Sequence, residues 1–161
     1  MDISGGNRRE YATIIHDGKI LKSIKGTKTH TPISSELEKI IFGLPDYAAQ
    51  FIHYHTSGCS FSAEDIMTLY DVRAFSEMRV ATPSGWIFKM ETTEKTIFPD
   101  REKLLKQINE VREKSNIKLM PMVRRKEITL TQKRILESRW ICQVIKNKYN
   151  WGYQEVPPDG R

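Results

Sequence analysis

An Asp-Gly pair between two β-rich segments strongly limits how the start of this chain can fold. Residues 10–15 (EYATII) and 19–24 (KILKSI) flank Asp17 and Gly18. Asp-Gly favours the tight turn that joins two antiparallel strands, because both positions of that turn require a positive φ. The sequence therefore predicts a β-hairpin near the start of the chain.

The segments after the hairpin alternate between helical and strand patterns. Apolar spacing and start signals predict four helices, over 35–43, from Ser62 to about Ser76, from Pro99 to about Lys114, and from Thr129 or Thr131 to about Tyr149. Strand patterns predict three further strands, in the second part of 47–55, over 78–82 and over 86–90. Residues 157–160 have the composition of a loose tail. This alternation indicates an α/β fold.

Length and composition narrow the class of protein. A chain of 161 residues is the size of one compact domain, and its apolar runs are too short to span a bilayer. The first residues lack the basic and apolar regions of a secretory signal. Two cysteines, Cys59 and Cys142, are too few for a disulfide framework. These features predict a cytoplasmic protein with reduced thiols and leave its oligomeric state open.

The positive charge is uneven along the chain. The formal net charge is +6, and the excess of lysine and arginine lies in the second half, notably at Arg124, Arg125 and Lys126. Such a run is typical of a solvated helical surface, and it also suits contact with nucleic acid. Charge alone gives no sequence specificity, so the sequence predicts at most weak nucleic-acid contact through this half.

Two histidines at the end of a predicted strand are the strongest chemical signal. His53 and His55 are two residues apart, so on a strand both side chains project from one face. Asp65 lies in the first turn of the next predicted helix, which could return to the strand end. Two histidines, a carboxylate and a water make an open catalytic zinc site. The alternative is an ordinary His-x-His pair next to a Ser62–Asp65 capping box.

The remaining histidines and cysteines are weaker candidates. His16 is expected to be exposed beside the Asp17-Gly18 turn, and His30 lies in a polar connection. Cys59 has no Cys-x-x-Cys partner, and Cys142 is expected to pack inside a helix. The zinc-deaminase and His-Glu-x-x-His signatures are absent from the sequence.

The histidine pair and the serine–aspartate pair together resemble the JAB/MPN family, whose metallopeptidases carry the JAMM motif. His53-Tyr54-His55 is similar to its His-x-His-Pro, and Ser62-Ala63-Glu64-Asp65 to its Ser-x-x-Asp. Ser57-Gly58 and the run 60–62 resemble JAB-like domains of bacteriophage head-morphogenesis proteins. The resemblance covers roughly residues 8–92. Thr56 replaces the usual proline, and the spacer 56–61 is one residue shorter than in deubiquitinase-like members.

The resemblance implies a fold and a chemistry. The expected fold is JAB/MPN-like and similar to cytidine deaminases, with a mixed central sheet flanked by helices. Residues 1–98 would form this metal-binding core, and 99–161 a basic helical extension packed on it. The implied activity is zinc-dependent hydrolysis of a peptide or isopeptide bond in a protein or peptide substrate. The alternative is a non-catalytic, phage-derived binding or structural module.

The resemblance also implies a role for each site residue. His53, His55 and Asp65 would bind Zn²⁺, Glu10 would act as general base, and Ser62 would stabilise the oxyanion. If Glu10 lay far from the metal, the base would have to be sought at Glu36, Glu38 or Glu64.

Overall fold

The computed structural model describes residues 10–26 and 35–159. These residues form six strands and four helices. The strands are β1 (Tyr11–His16), β2 (Lys19–Lys25), β3 (Ala49–Tyr54), β4 (Phe75–Ala81), β5 (Ile87–Glu91) and β6 (Gly152–Val156). The helices are α1 (Ser35–Phe42), α2 (Ala63–Asp71), α3 (Arg101–Arg124) and α4 (Leu130–Tyr149). All six strands belong to one mixed sheet in the order β2-β1-β3-β4-β5-β6, so the predicted α/β class is confirmed.

The predicted hairpin is confirmed. β1 and β2 pair antiparallel, with His16 opposite Lys19. Asp17 and Gly18 have φ values of 48° and 71°, as a two-residue turn with two positive φ angles requires. β1 also pairs antiparallel with β3, which makes β1 an inner strand of the sheet.

A parallel β3-α2-β4 unit lies at the centre of the sheet. β3 and β4 pair in parallel, and α2 connects them. The predicted extent of α2 to about Ser76 is wrong: the helix ends at Asp71, and Phe75 begins β4. Val72 and Phe75 fit a helical apolar face, but Val72 is the C-cap residue of α2, and Phe75 is buried as the first residue of β4, which pairs with β3.

The C-terminal part contains two long helices and a strand. α3 continues beyond the predicted end near Lys114 to Arg124, with Pro121 in its last turn. Thr129 caps α4 through a capping box with Gln132. Asn150 then takes the left-handed conformation and ends the helix. The sequence analysis did not predict β6, which pairs antiparallel with β5.

The core lies between the sheet and the helices, and it includes residues from both halves of the chain. Large side chains that are fully buried include Ile14, Phe75, Met78, Phe88, Leu104 and Trp151. Trp151 also donates from Nε1 to the carbonyl of Ile97 at 3.0 Å. α3 and α4 contribute Leu104, Ile108 and Ile145 to the same cluster. Within the described ranges, no helix is long and apolar enough to cross a membrane.

Candidate metal centre

The two histidines occupy the end of β3, between β1 and β4. His53 pairs with Ala12 of β1 on one side and Val80 of β4 on the other. His55 follows the last residue of β3, and its backbone N–H donates to the Ala81 carbonyl at 2.9 Å, which continues the parallel pairing. Both side chains therefore project from one face of the sheet, and both residues are buried.

Asp65 is oriented by the cap of α2. Ser62 Oγ accepts from the Asp65 N–H at 3.1 Å, and Asp65 Oδ2 accepts from the Ser62 N–H at 2.6 Å. These reciprocal bonds form a complete capping box. The predicted capping box is thus present, and it also turns the carboxylate back towards the end of β3.

The three side chains converge on one point. His53 Nε2 lies 2.8 Å from His55 Nε2 and 3.0 Å from Asp65 Oδ1. His55 Nε2 lies 3.2 Å from Asp65 Oδ2. The three ligand atoms lie within 4.8 Å of one another, so this buried group could hold a metal ion.

The hydrogen bonds around the histidines fit a cation between them. His55 Nδ1 donates to the Cys59 carbonyl at 3.2 Å, so a neutral His55 ring carries its lone pair on Nε2. That lone pair faces His53 Nε2 and a carboxylate, so it is satisfied by a hydrogen on His53 Nε2, by an added proton or by a metal ion. A histidine that donates its other N–H to a backbone carbonyl is the usual arrangement in metal sites.

His53 differs from His55 in its second nitrogen. His53 Nδ1 is buried and has no hydrogen-bond partner in the part of the chain that the structure describes. The ring lies 5.2 Å from the Phe51 ring, between centroids. No protein contact on that side fixes which ring nitrogen carries the hydrogen, so Nε2 is open to a proton or a metal.

The local electrostatics favour a protonated His55 and an ionised Asp65. Burial by itself lowers the pKa of His55, but the hydrogen bond and charge of Asp65 outweigh it and raise that pKa above its ordinary value. Burial would raise the pKa of Asp65, but hydrogen bonds from His53 and His55 hold it well below its usual range. A buried carboxylate that stays ionised is an attractive site for a cation.

Glu10 lies beside the histidines because of strand register. Ala12 is opposite His53 in the antiparallel β1–β3 pair, so the same register continued by two residues puts Glu10 opposite His55. Residues two apart share a face, and Glu10 therefore lies on the face of the histidines. Glu10 lines the same cleft as His55, and its charge contributes to the raised pKa of His55.

The cleft at this point has a volume of about 690 Å³. Its lining draws on the residue before β1, on α1, β3, the loop before α2, α2 itself, and both C-terminal helices. It includes Glu10, Glu38, His53, His55, Cys59, Ser62, Glu64, Asp65, Arg112, Arg134, Glu137 and Ser138. Sequence reasoning did not identify the wall from α3 and α4. No local signal was available for it, because these residues lie far along the chain from the histidines.

The loop between β3 and α2 is attached to α4. Both the backbone N–H and the hydroxyl of Ser60 donate to Ser138 Oγ, at 3.2 and 3.0 Å. Ser138 Oγ in turn donates to the Ile135 carbonyl at 2.9 Å. Gly58, with φ of 75°, lies against the Ile135 side chain. The loop that connects the histidines to Asp65 therefore rests on α4.

The other two histidines and the two cysteines were the weaker candidates for site residues. His16 was expected to be exposed, which is wrong: its side chain is only 26% exposed, and its Nδ1 lies 2.7 Å from the Ala48 carbonyl oxygen. His30 lies outside the described residues. Cys142 is fully buried as predicted, and burial raises the pKa of its thiol to about 12. Cys59 lines the cleft, and its carbonyl accepts from His55. Both cysteines are free.

No protein-family model, curated protein or solved structure matches this chain in the comparisons made.

Proposed function

We propose that this protein is a zinc-dependent hydrolase that cleaves an amide bond, peptide or isopeptide, at the cleft beside His53, His55 and Asp65. The observation that carries the proposal is the convergence of two imidazole nitrogens and one ionised carboxylate within 4.8 Å. This donor set leaves a fourth tetrahedral position for water or substrate, as catalytic zinc sites do. The proposal includes a JAB/MPN-type fold, supported by the histidine pair at a strand end and the aspartate at the next helix start.

Zinc, when bound, supplies Lewis-acid polarisation of the amide carbonyl and activation of water near neutral pH. The protein residues bind and move protons around it. Glu10, on the same face as the histidines, would accept a proton from the attacking water and return it to the leaving amine.

Ser62 would stabilise the developing oxyanion. Its Oγ accepts a hydrogen bond from the Asp65 N–H, which leaves the hydroxyl hydrogen to donate. Ser62 lines the cleft with Asp65, so this donor can reach a substrate carbonyl held there. The same residue would then cap α2 and assist the reaction.

Metal analysis of the purified protein tests the proposal. We expect about one zinc per chain after dialysis against zinc, measured by elemental mass spectrometry, with loss of zinc in His53→Ala. His16→Ala is the matched control, because His16 is also a partly buried histidine that bonds to a backbone carbonyl but does not line the cleft. Absence of any transition metal, or equal zinc content in His53→Ala and wild type, would refute the proposal.

A metal-binding module without turnover is the second candidate. Thr56, where the family pattern has a proline, favours it, because the loop that shapes access to the histidines loses a rigid residue. This candidate predicts the same zinc content but no cleavage in a screen of peptide and isopeptide conjugates. Cleavage that requires the three ligands would exclude it.

A further inference from the structure

Two arginines line the cleft without an ion-pair partner among the residues that the structure describes. Arg112 of α3 is half-buried and Arg134 of α4 is exposed, and both line the cleft. Neither has an ion-pair or hydrogen-bond partner among residues 10–26 and 35–159. A half-buried charge without a partner is costly, and arginines in such positions commonly bind an anion.

Four other arginines of the chain form ion pairs. Arg79 pairs with Glu77, Arg101 with Asp71, Arg125 with Glu127, and Arg139 with Glu155. Of the remaining described arginines, Arg73 lies over the Phe98 ring and Arg124 is exposed without an ion pair. Arg112 is therefore distinguished by being half-buried without either kind of partner among the described residues.

The carboxylate that α4 contributes to the cleft lining is already engaged. Glu137 lines the cleft from α4, but it forms an ion pair with the buried Lys133. It also accepts from the Ser115 hydroxyl at 2.7 Å. Glu137 is thus satisfied within the α3–α4 pair, and the guanidinium groups of Arg112 and Arg134 are left for a ligand.

Two further glutamates of the cleft, one on α1 and one on α2, do not pair with its arginines. Glu38 of α1 and Glu64 of α2 line it, yet neither forms an ion pair with Arg112 or Arg134. The charged residues that α1 and α2 contribute to the lining are acidic, whereas α3 and α4 contribute both arginines together with the engaged Glu137. A ligand that spans the cleft meets the arginines only on the wall from α3 and α4.

We infer that Arg112 and Arg134 bind a carboxylate of the substrate and so determine which amides reach the candidate metal centre. The inference rests on the proposed amide hydrolysis at the same cleft. A planar guanidinium matches a carboxylate through two parallel hydrogen bonds. The carboxylate could belong to the C-terminus of a peptide or to an acidic side chain, and the two sources can be distinguished by experiment.

Calorimetric titration with three peptides tests the inference. The probes are N-acetyl-tetra-alanine with a free C-terminal acid, the same peptide as its C-terminal amide, and an amidated N-acetyl-Ala-Asp-Ala. The full chain is titrated with one equivalent of zinc and again after EDTA treatment, which removes both turnover and direct binding of the carboxylate to the metal. We expect the free acid to bind about tenfold or more tightly than the amide in both conditions.

Variants of the two arginines test which residues bind the carboxylate. Arg112→Gln and Arg134→Gln should each weaken binding of the free acid about tenfold, with zinc content and circular dichroism unchanged. Arg125→Gln is the control, because Arg125 is an arginine outside the cleft. If the Asp-containing amide binds as the free acid does, acidic side chains are accepted, and if it binds as the simple amide does, the site is specific for a chain terminus.

Three results would overturn the inference: equal affinity for acid and amide, no binding of the free acid at millimolar concentration, or wild-type affinity in both arginine variants. Failure of the proposed function gives a different result. In that case the protein would bind no zinc, while the preference for the free acid would persist after EDTA treatment and depend on the arginines.

Discussion

At the scale of single residues, Asp65 serves the helix and the candidate metal centre with one carboxylate. Its Oδ2 accepts from the Ser62 N–H and also lies 3.2 Å from His55 Nε2, while Oδ1 faces His53. An asparagine offers one oxygen of the same shape but no charge. The two roles of Asp65 can therefore be separated by one substitution.

Asp65→Asn should retain the fold and lose the metal. The amide oxygen can still accept from the Ser62 N–H, so the zinc-free variant should be more stable than Asp65→Ala. It should be less stable than wild type at neutral pH, because it loses the ionised carboxylate that accepts from His53 and His55. Zinc affinity should fall by more than about 100-fold, since loss of an outer-shell partner alone costs about 10–100-fold. Competition with a chromophoric chelator measures this. Asp71→Asn, an exposed aspartate at the end of α2, should bind zinc as wild type does.

Glu10→Gln should separate metal binding from catalysis. The amide preserves shape but cannot accept a proton, so zinc content should be unchanged while hydrolysis of a cleaved conjugate falls by about 10²–10⁴-fold. Glu38→Gln, at another glutamate of the cleft, provides the control. Equal rates for Glu10→Gln and wild type would show that another residue is the general base. If Glu38→Gln lost activity instead, Glu38 would be identified as that base.

The proximity of the three candidate ligand residues was predictable from the sequence, because they are close along the chain. His53, His55 and Asp65 lie on one strand, one loop and one helix start, and local rules place all three. Arg112 and Ser138 reach the same cleft only through the packing of α3 and α4 on the sheet. No spacing rule links them to the histidines, so this wall required the structure.

At the scale of elements, α4 supports the loop between β3 and α2. Ser138 Oγ receives two hydrogen bonds from Ser60, which is fully buried. The ends of the helices were difficult to predict from the sequence. α2 ends earlier and α3 ends later than their apolar patterns indicate. In both cases, pairing or packing with distant parts of the chain determines where the element ends.

Ser138→Ala should lower both the stability of the fold and the retention of zinc, although Ser138 is not a candidate ligand. Two buried donors of Ser60 would lose their acceptor, which should cost about 1–3 kcal/mol in the free energy of unfolding. The loop should also loosen, so zinc should dissociate faster in a chelator chase. Urea denaturation and the chase measure the two effects. Ser23→Ala, on the exposed face of β2, should change neither. Wild-type values for Ser138→Ala in both measurements would exclude this supporting role.

At the scale of the whole molecule, the two outer strands of the sheet differ in how they are protected against pairing with other molecules. β2 is almost fully exposed and carries Lys19, Lys22 and Lys25. Lysines on an outer strand discourage pairing with other molecules. At the opposite side, β6 pairs with β5, and Lys146 of α4 donates to the Tyr153 carbonyl at 3.2 Å.

The basic second half should bind nucleic acid only weakly. Arg125 is paired with Glu127, and Arg124 and Lys126 are exposed at the end of α3. We expect dissociation constants of about 10⁻⁴–10⁻⁶ M that weaken steeply with salt and are equal for unrelated sequences. Fluorescence anisotropy with two unrelated duplexes at low and high salt measures this. Tight binding with sequence preference at high salt would contradict the expectation.

The late position of β6 in the chain has a consequence for synthesis on the ribosome. β5 is made early, but its outer neighbour β6 emerges only after both long helices have been translated. During that interval β5 presents unpaired backbone groups beside Phe88 and Met90, which are buried in the finished protein. A nascent chain that pauses within α4 therefore carries an open sheet edge next to apolar surface, the kind of segment that chaperones shield and that aggregates when translation stops early.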